Sequence, residues 1–544
     1  MSTPRRSTLL ALLGLFALHP VAGQEPAPAG GSINAADLRR DVFFLASDDM
    51  RGRLVGTPEN RRAAEFIERR FAELGLRGIA ADASYLQSFG LLTATLGETS
   101  VFTVRSGDDR SAGALGTDFY PERFSGTGQA EGPVVFVGFG IVAPGVDHDD
   151  YQGADIQGRV VLALDHEPGE FDPKSPFDGV ASSEHRRSVR KALAAQRRGA
   201  VAILFVADVH NHSTRPELDA SMRRTWPSDP GRVPAYQLAD WVEPLRIPAF
   251  RISVQQAEHL AAGTGETLEA LAQRAEHAGG VAPIALPGVM VEVEASVPRQ
   301  TLPVHNVVGL IEGADPVLRD EWIILCAHYD HEGTNGTQVF TGADDDASGV
   351  AGILEIAEAY AFGARIGRRP RRSILFAAWN AEERGLLGAW AYTQQPLAPL
   401  ENTVAVINMD MIGRNEEVPT GGGRRFNGLE PQTAESNRNA VNILGYSYSS
   451  DLRKATEIAN NAAGLDLRFR YDNNRSNLLR RSDHWPFLFH SVPAIFVHTG
   501  LHPDYHTERD RPETLDYDKM SRVVRLVFQL SWNLAQEDSR PALD

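Results

Sequence analysis

Apolar positions along the chain fall into three successive textures. From Ala35 they recur at helical spacing, with Leu38, Val42 and Leu45 on one face and Ala63, Phe66, Ile67 and Phe71 on another, until Gly75 stops the run. Beyond about Gly90 short apolar runs alternate with turn residues. Positions 134–140, 160–164 and 201–206 read as strands, and the basic stretch 188–198 reads as a helix. From Asn306 strand and helix patterns alternate: runs 307–310, 322–326, 373–379, 404–409 and 494–497 predict strands, and 347–361, 384–393, 449–463 and 518–534 predict helices. In the segment 347–361, Val350, Ile353, Leu354, Ala357 and Ala361 form one stripe, the mark of a helix with a buried face.

Strands that alternate with helices imply an α/β fold in which a mostly parallel, mixed sheet is sandwiched by helices. The middle texture predicts a separate small α/β unit over 120–295, inserted between an N-terminal portion (32–110) and a C-terminal portion (300–540) of one larger domain. No clustering of His, Asp and Glu in a metal-ligand pattern is visible in the inserted part. Two or more domains suit a chain of 544 residues, which is longer than one core usually serves. Hydrophobic residues at 42% and charged residues at 23% describe a globular protein. A formal net charge of -17 excludes nucleic acid and anionic membrane as natural partners, since both select basic surfaces. The first residues differ from the rest: Arg5 and Arg6, an apolar run over 9–18, then Val21, Ala22 and Gly23. That order predicts a cleaved secretory signal over 1–23 and export to the periplasm or beyond, because the run is about half the length that spans a bilayer. The single cysteine, Cys326, forbids an intramolecular disulfide and lies in an apolar run, as a buried strand residue does.

The candidate chemistry sits where predicted strands end, which in an open α/β sheet is the edge that carries reactive groups. Strand 322–326 runs into His328, Asp330, His331 and Glu332; strand 373–379 into Glu382 and Glu383; strand 404–409 into Asp410; and strand 494–497 into His498, His502, Tyr505 and His506. Asp344, Asp345 and Asp346 stand at the start of helix 347–361. One acidic residue after a strand is ordinarily a helix cap. Four strand ends delivering carboxylates and imidazoles to one crevice need a cation to offset them. Oxygen and nitrogen donors without thiolates suit zinc. Residue types alone leave His484, His498, His502 and His506 equivalent as candidates for a second histidine ligand. His331 and Glu332 read as ordinary loop residues, and His305 as a structural histidine.

The runs AHYDHEG, TGADDDASGVAGILEIAEA, AAWNAEERGLLGA, INMDMIGR, SDHWPF and HPDYHTERDRPETLD resemble, in order, those of the bacterial co-catalytic zinc aminopeptidases over about 306–535. The inserted unit resembles a protease-associated domain. The first resemblance implies two zinc ions: His328 and Asp410 on one, Glu383 and His506 on the other, and Asp345 bridging both. It further implies Glu382 as general base, Asp330 as the carboxylate that orients the His328 ring, Tyr505 as a donor to the oxyanion, and a cis peptide between Asp345 and Asp346. Peptides would then be the substrates, cleaved at their N-terminus. A glutamate-releasing carboxypeptidase shares this metal shell, and Arg414, Arg480 and Arg481 are available to clamp a substrate carboxylate. A single-zinc glutaminyl cyclase fits less well, and a metal-free receptor-like shell is disfavoured because every ligand position is filled.

Overall fold

The computed structural model describes residues 27, 30–172, 174–177, 179, 183–228 and 234–544. The export signal expected over 1–23 lies outside the described residues. Two sheets organise the rest. The larger is built on β1 (Leu86–Ala94), β2 (Arg299–Ile311), β3 (Trp322–His328), β4 (Ser373–Trp379), β5 (Thr403–Met409), β6 (Ala440–Leu444), β7 (Asp466–Phe469) and β8 (Ala494–His498), in the order β1-β2-β4-β3-β5-β8-β6-β7. The central strands β4, β3, β5 and β8 are parallel. The pairs β1 with β2, β2 with β4 and β8 with β6 are antiparallel, and edge strand β7 runs parallel to β6, so the sheet is mixed with a parallel centre.

Burial on both faces explains why the central strands read as unbroken apolar runs. Alternate side chains point to opposite faces. Thus Ile323, Leu325, Ala327, Ile374 and Phe376 join one core, while Ile324, Cys326, Leu375 and Trp379 join the other. Helices α1 (Ala35–Leu45), α2 (Pro58–Leu74), α3 (Gly349–Arg365) and α4 (Tyr517–Gln536) cover the first face, with helix Ser450–Ala459 packed beside α4. Helix α2 shows why the sequence fixes its ends. The Thr57 hydroxyl accepts from Asn60 N, Pro58 occupies the first turn, and Gly75 closes the helix in the left-handed region at φ 77°. Cys326 is buried on β3 and faces Asn408 Oδ1 at 3.3 Å.

The second sheet has eight strands and its own apolar core. Residues 100–110, expected in the N-terminal portion of the larger domain, belong here instead. Ser100–Ser106 pairs antiparallel with Ile284–Ala295, and its inward residues Phe102 and Val104 enter the second core. The strand expected over 134–140 is Gly128–Phe136, because Gly138 and Gly140 turn the chain at φ 59° and 70°. Residues Gln237–Leu238 return to the larger sheet and pair with the edge of β1. The two cores meet where Trp241 packs edge-on against Trp390 at 5.9 Å, with Arg187 over the Trp241 ring at 4.6 Å. Among the described residues no helix is long and apolar enough to cross a membrane.

Candidate metal centre

The carboxyl ends of β3, β4, β5 and β8 converge on one crevice, and the first turn before α3 closes it. Asp345 is its centre. One carboxylate oxygen lies 3.1 Å from His328 Nε2 and the other 2.9 Å from His506 Nε2. On the His328 side, Asp410 Oδ1 and Glu382 Oε2 stand 3.7 and 3.9 Å from the same imidazole nitrogen. On the far side, Glu383 Oε2 lies 3.2 Å from His506 Nε2. The adjacent glutamates therefore diverge from a short 3-10 turn, Glu382 toward one half of the crevice and Glu383 toward the other. Each half gathers three donors within metal-binding reach: His328, Glu382 and Asp410 in one; His331, Asp345 and Glu383 in the other, where Glu332, Glu383 and His506 also meet.

The four competing histidines separate cleanly. His484 is buried, stacked on Phe496 at 5.0 Å, and its pKa is pushed down to about 3, chiefly by burial. His498 turns Nδ1 to the Asp410 carbonyl at 3.0 Å, and His502 Nε2 faces Asp344 at 3.3 Å. His506 alone of the four meets Asp345 and Glu383. His331, expected to be an ordinary loop residue, is instead fully buried with Nδ1 2.7 Å from Glu383 Oε1. Its sequence signal is its place three residues after His328 in one short loop.

Buried backing residues hold the centre. Asp346 accepts from His328 N at 3.1 Å and Gly349 N at 2.8 Å, tying β3 to α3; the Asp345–Asp346 peptide is cis. Ser482 donates to Asp410 Oδ2 at 2.6 Å. Asp510 accepts from the backbone of Asp344 and Asp345 at 3.0 and 3.2 Å. Asp330 departs from expectation: His328 Nδ1 lies nearest the Asp330 main-chain oxygen, at 3.2 Å, whereas its carboxylate stands 3.8 Å away and accepts from Glu382 N at 3.0 Å. Arg53, which sequence reasoning missed, is fully buried beneath this layer. It donates to the carbonyls of Tyr329 (2.9 Å), Leu45 (2.6 Å), Thr341 (2.8 Å) and Gly342 (3.0 Å), so one guanidinium joins both loops that carry the central residues.

The charges sort by environment. Burial raises Glu382 well above the ordinary carboxylate range, with His328 opposing and Asp410 and Asp483 adding to the rise. Burial also acts to raise Asp345, but the His328 and His506 imidazoles outweigh it and hold the carboxyl well below that range. His328 Nε2, His331 Nδ1, Glu383 Oε1 and Asp410 Oδ1 are buried without a hydrogen bond among the described residues. Orphaned lone pairs of this kind, gathered from nitrogen and carboxylate oxygen donors, fit a divalent cation such as zinc.

A cavity of about 30 Å³, room for about one water, opens beside Asp345, Glu382 and Asp410. Tyr505, Phe496, Met411 and Arg481 help to wall it. Of the three arginines considered for a substrate carboxylate, only Arg481 lines this cavity. Arg414 holds Asp504 at 3.1 Å, and Arg480 lies over the Trp485 ring at 4.3 Å.

The model of peptidase family M28 matches residues 306–531, the stretch that contributes every residue at this centre except Arg53 and Leu45. A probable glutamate carboxypeptidase, AMP1, of Arabidopsis thaliana is 25% identical over 485 residues, covering 84% of this chain and 61% of its own length. A probable zinc metalloprotease of Pyrenophora tritici-repentis is 29% identical over 266 residues, covering 44% of this chain and 53% of its own. The chain thus spans less than two thirds of either relative. Among solved structures, an aminopeptidase from Aneurinibacillus sp. strain AM-1 aligns with a TM-score of 0.47 at 19% identity, over 95% of this chain and 97% of that one. The converging strand ends of this chain all lie inside residues 306–531, the stretch that matches the model of peptidase family M28.

Proposed function

We propose that the chain is an exported two-zinc aminopeptidase. His328 and Asp410 would hold one ion and Glu383 and His506 the other, with Asp345 placed to serve both. The observation that carries this reading is the placement of the two Asp345 oxygens, 3.1 Å from His328 Nε2 on one side and 2.9 Å from His506 Nε2 on the other. Zinc held by this donor set would lower the pKa of a shared water and polarise a peptide carbonyl.

The chain's own residues supply the rest. Glu382 takes the proton of the attacking water and returns it to the leaving amine; a carboxylate left out of the ligand set keeps the basicity that this needs. Asp330 holds the Glu382 backbone through its N–H and so fixes where that side chain reaches. The Tyr505 hydroxyl, on the cavity wall, donates to the oxygen that gains charge. Met411, Leu478, Phe496 and Leu501 give the wall an apolar surface, suited to an apolar N-terminal side chain. The inserted unit is read as a protease-associated domain.

Arg481 on the same wall, and the carboxypeptidase name of the relative matched over 84% of this chain, favour a second reading as a glutamate-releasing carboxypeptidase. One assay separates the two. Purified protein is offered a leucyl-nitroanilide and an N-blocked peptide ending in glutamate, with and without a chelator. Chelator-sensitive cleavage of the first alone supports the aminopeptidase, and cleavage of the second alone replaces it with the carboxypeptidase.

A further inference from the structure

The second sheet carries a cluster that the sequence does not display. Strands Val160–Leu164 and Ala202–Val206 are parallel neighbours, so their carboxyl ends open on the same side. The loop after the first brings His166 and Glu170; the loop after the second brings His212. Glu170 is buried, and its two oxygens face one imidazole each: Oε2 lies 2.8 Å from His166 Nδ1, and Oε1 touches His212 Nε2. The two rings lie against each other with centroids 4.3 Å apart. One donor atom from each residue falls within 4.8 Å of the others.

Glu170 Oε1 and His212 Nε2 are buried without a hydrogen bond of adequate geometry among the described residues. They touch as an ion pair without the alignment of a hydrogen bond. A proton shared along one edge would satisfy a single pair, whereas here three donors converge on one point. Burial acts to raise the Glu170 carboxyl, but the two imidazoles outweigh it and keep it below its usual range, in the ionised form a ligand requires. Beside the cluster runs a trough of about 990 Å³ with His166 and His212 on its wall. Two nitrogens and one carboxylate oxygen, with an open side toward solvent, form the donor set of a three-ligand zinc site.

We propose that His166, Glu170 and His212 bind a zinc ion at the edge of this trough, at a site separate from the crevice around Asp345. The ion ties the two loops together and leaves a coordination position facing the trough, open to water or to an anionic group of a bound molecule.

The test compares zinc content per chain, by elemental mass spectrometry, in full-length wild type and in His212→Gln and Glu170→Gln variants equilibrated with the same free zinc. Each variant should hold one zinc fewer than wild type, with peptidase turnover at saturating zinc unchanged. Cobalt(II) added to zinc-free protein should give a visible absorption component that both variants lack. Circular dichroism verifies folding, and His212→Gln, a partly exposed position, carries the test if the buried Glu170→Gln unfolds. Equal zinc content in wild type and His212→Gln overturns the proposal. Because the readout is a difference, it stands apart from how many ions the Asp345 crevice binds.

Discussion

Replacing Arg53 with methionine keeps much of the buried volume and removes four hydrogen bonds to backbone carbonyls. The Gly342 carbonyl still accepts from Ala347 N at 3.2 Å, so three carbonyls are left orphaned, and each costs about 1–3 kcal/mol. Part of that is offset, because the guanidinium is itself costly to bury. Burial pulls its pKa from 12.5 down to about 10, a penalty of about 3 kcal/mol that the variant no longer carries. The net loss should be about 3–5 kcal/mol, the usual result of breaking a buried charged network. A protein with about 5–15 kcal/mol in hand stays folded, though with little margin.

Arg372 supplies the control. It is equally buried, donates to Glu321 and to the carbonyls of Leu534, Asp538 and Ser539 at 2.6–3.4 Å, and immediately precedes β4 at the amino ends of the central strands, away from the crevice. Urea unfolding should show a lowered midpoint for both Arg53→Met and Arg372→Met. Competition with a chromogenic chelator should separate them. Arg53→Met releases zinc about 10–100-fold more readily, as changes behind metal ligands do, while Arg372→Met matches wild type. If the two variants retain zinc equally, Arg53 is structural support only and the positioning argument fails.

Glu382→Gln should retain its metal by elemental analysis while turnover falls by about 10²–10⁴-fold; wild-type turnover would remove Glu382 from the mechanism. Glu383→Gln should instead bind zinc more weakly and regain activity as zinc is added, which a titration of initial rate against free zinc reads directly. Glu355 on α3 is buried, and burial with nearby Asp37 raises its pKa to about 7. Its folded pKa thus exceeds its unfolded value of 4.5, so its stabilisation is full below pH 4.5 and lost as pH rises through about 7. Glu355→Gln should remove that slope and raise stability at pH 8 by up to about 3 kcal/mol, checked by urea midpoints at pH 5 and pH 8. Gly349→Ala would set its Cβ 2.3 Å from Met409 O and 2.5 Å from the Asp346 carboxylate; it should destabilise by about 1–3 kcal/mol and weaken zinc retention, measured on the same two axes.

The central strands are legible because burial on two faces leaves continuous apolar runs, and the candidate ligands are legible because they sit at the ends of those runs. The flanks are harder. The first half of β2, Arg299 to Val304, pairs along β1 with polar and exposed positions that break the apolar signal, and β7 alternates exposed and half-buried residues over four positions. Residues 100–112 carry no composition boundary; only their pairing partner, almost two hundred positions later, assigns them to the second sheet. The same limit applies to side chains. Nothing near Arg53 in the sequence announces a buried cation, since its partners Tyr329, Thr341 and Gly342 are brought to it by tertiary structure. Choosing among four histidines needs the path of the loop after β8, which places His506 at the crevice, and the packing of the segment before β8, which stacks His484 on Phe496 in the core.

The pairing of β1 with β2 bears on the order in which the chain folds. Ala94 meets Arg299 across the ladder, so in an open chain those strands must close a loop of about 200 residues, at a cost of about 5 kcal/mol in chain entropy. Within that loop, however, Ser100 pairs with Ala295. Once the second sheet has formed, its two ends emerge side by side, and the remaining loop is about eight residues, for which closure costs about 2 kcal/mol. The inserted unit thus acts on the larger domain as a pre-tied knot in a long thread. Early formation of its terminal strand pair should speed the docking of β1 on β2, and a mutation that slows that pair, such as Phe102→Ala, should delay assembly of a crevice to which it contributes no atom.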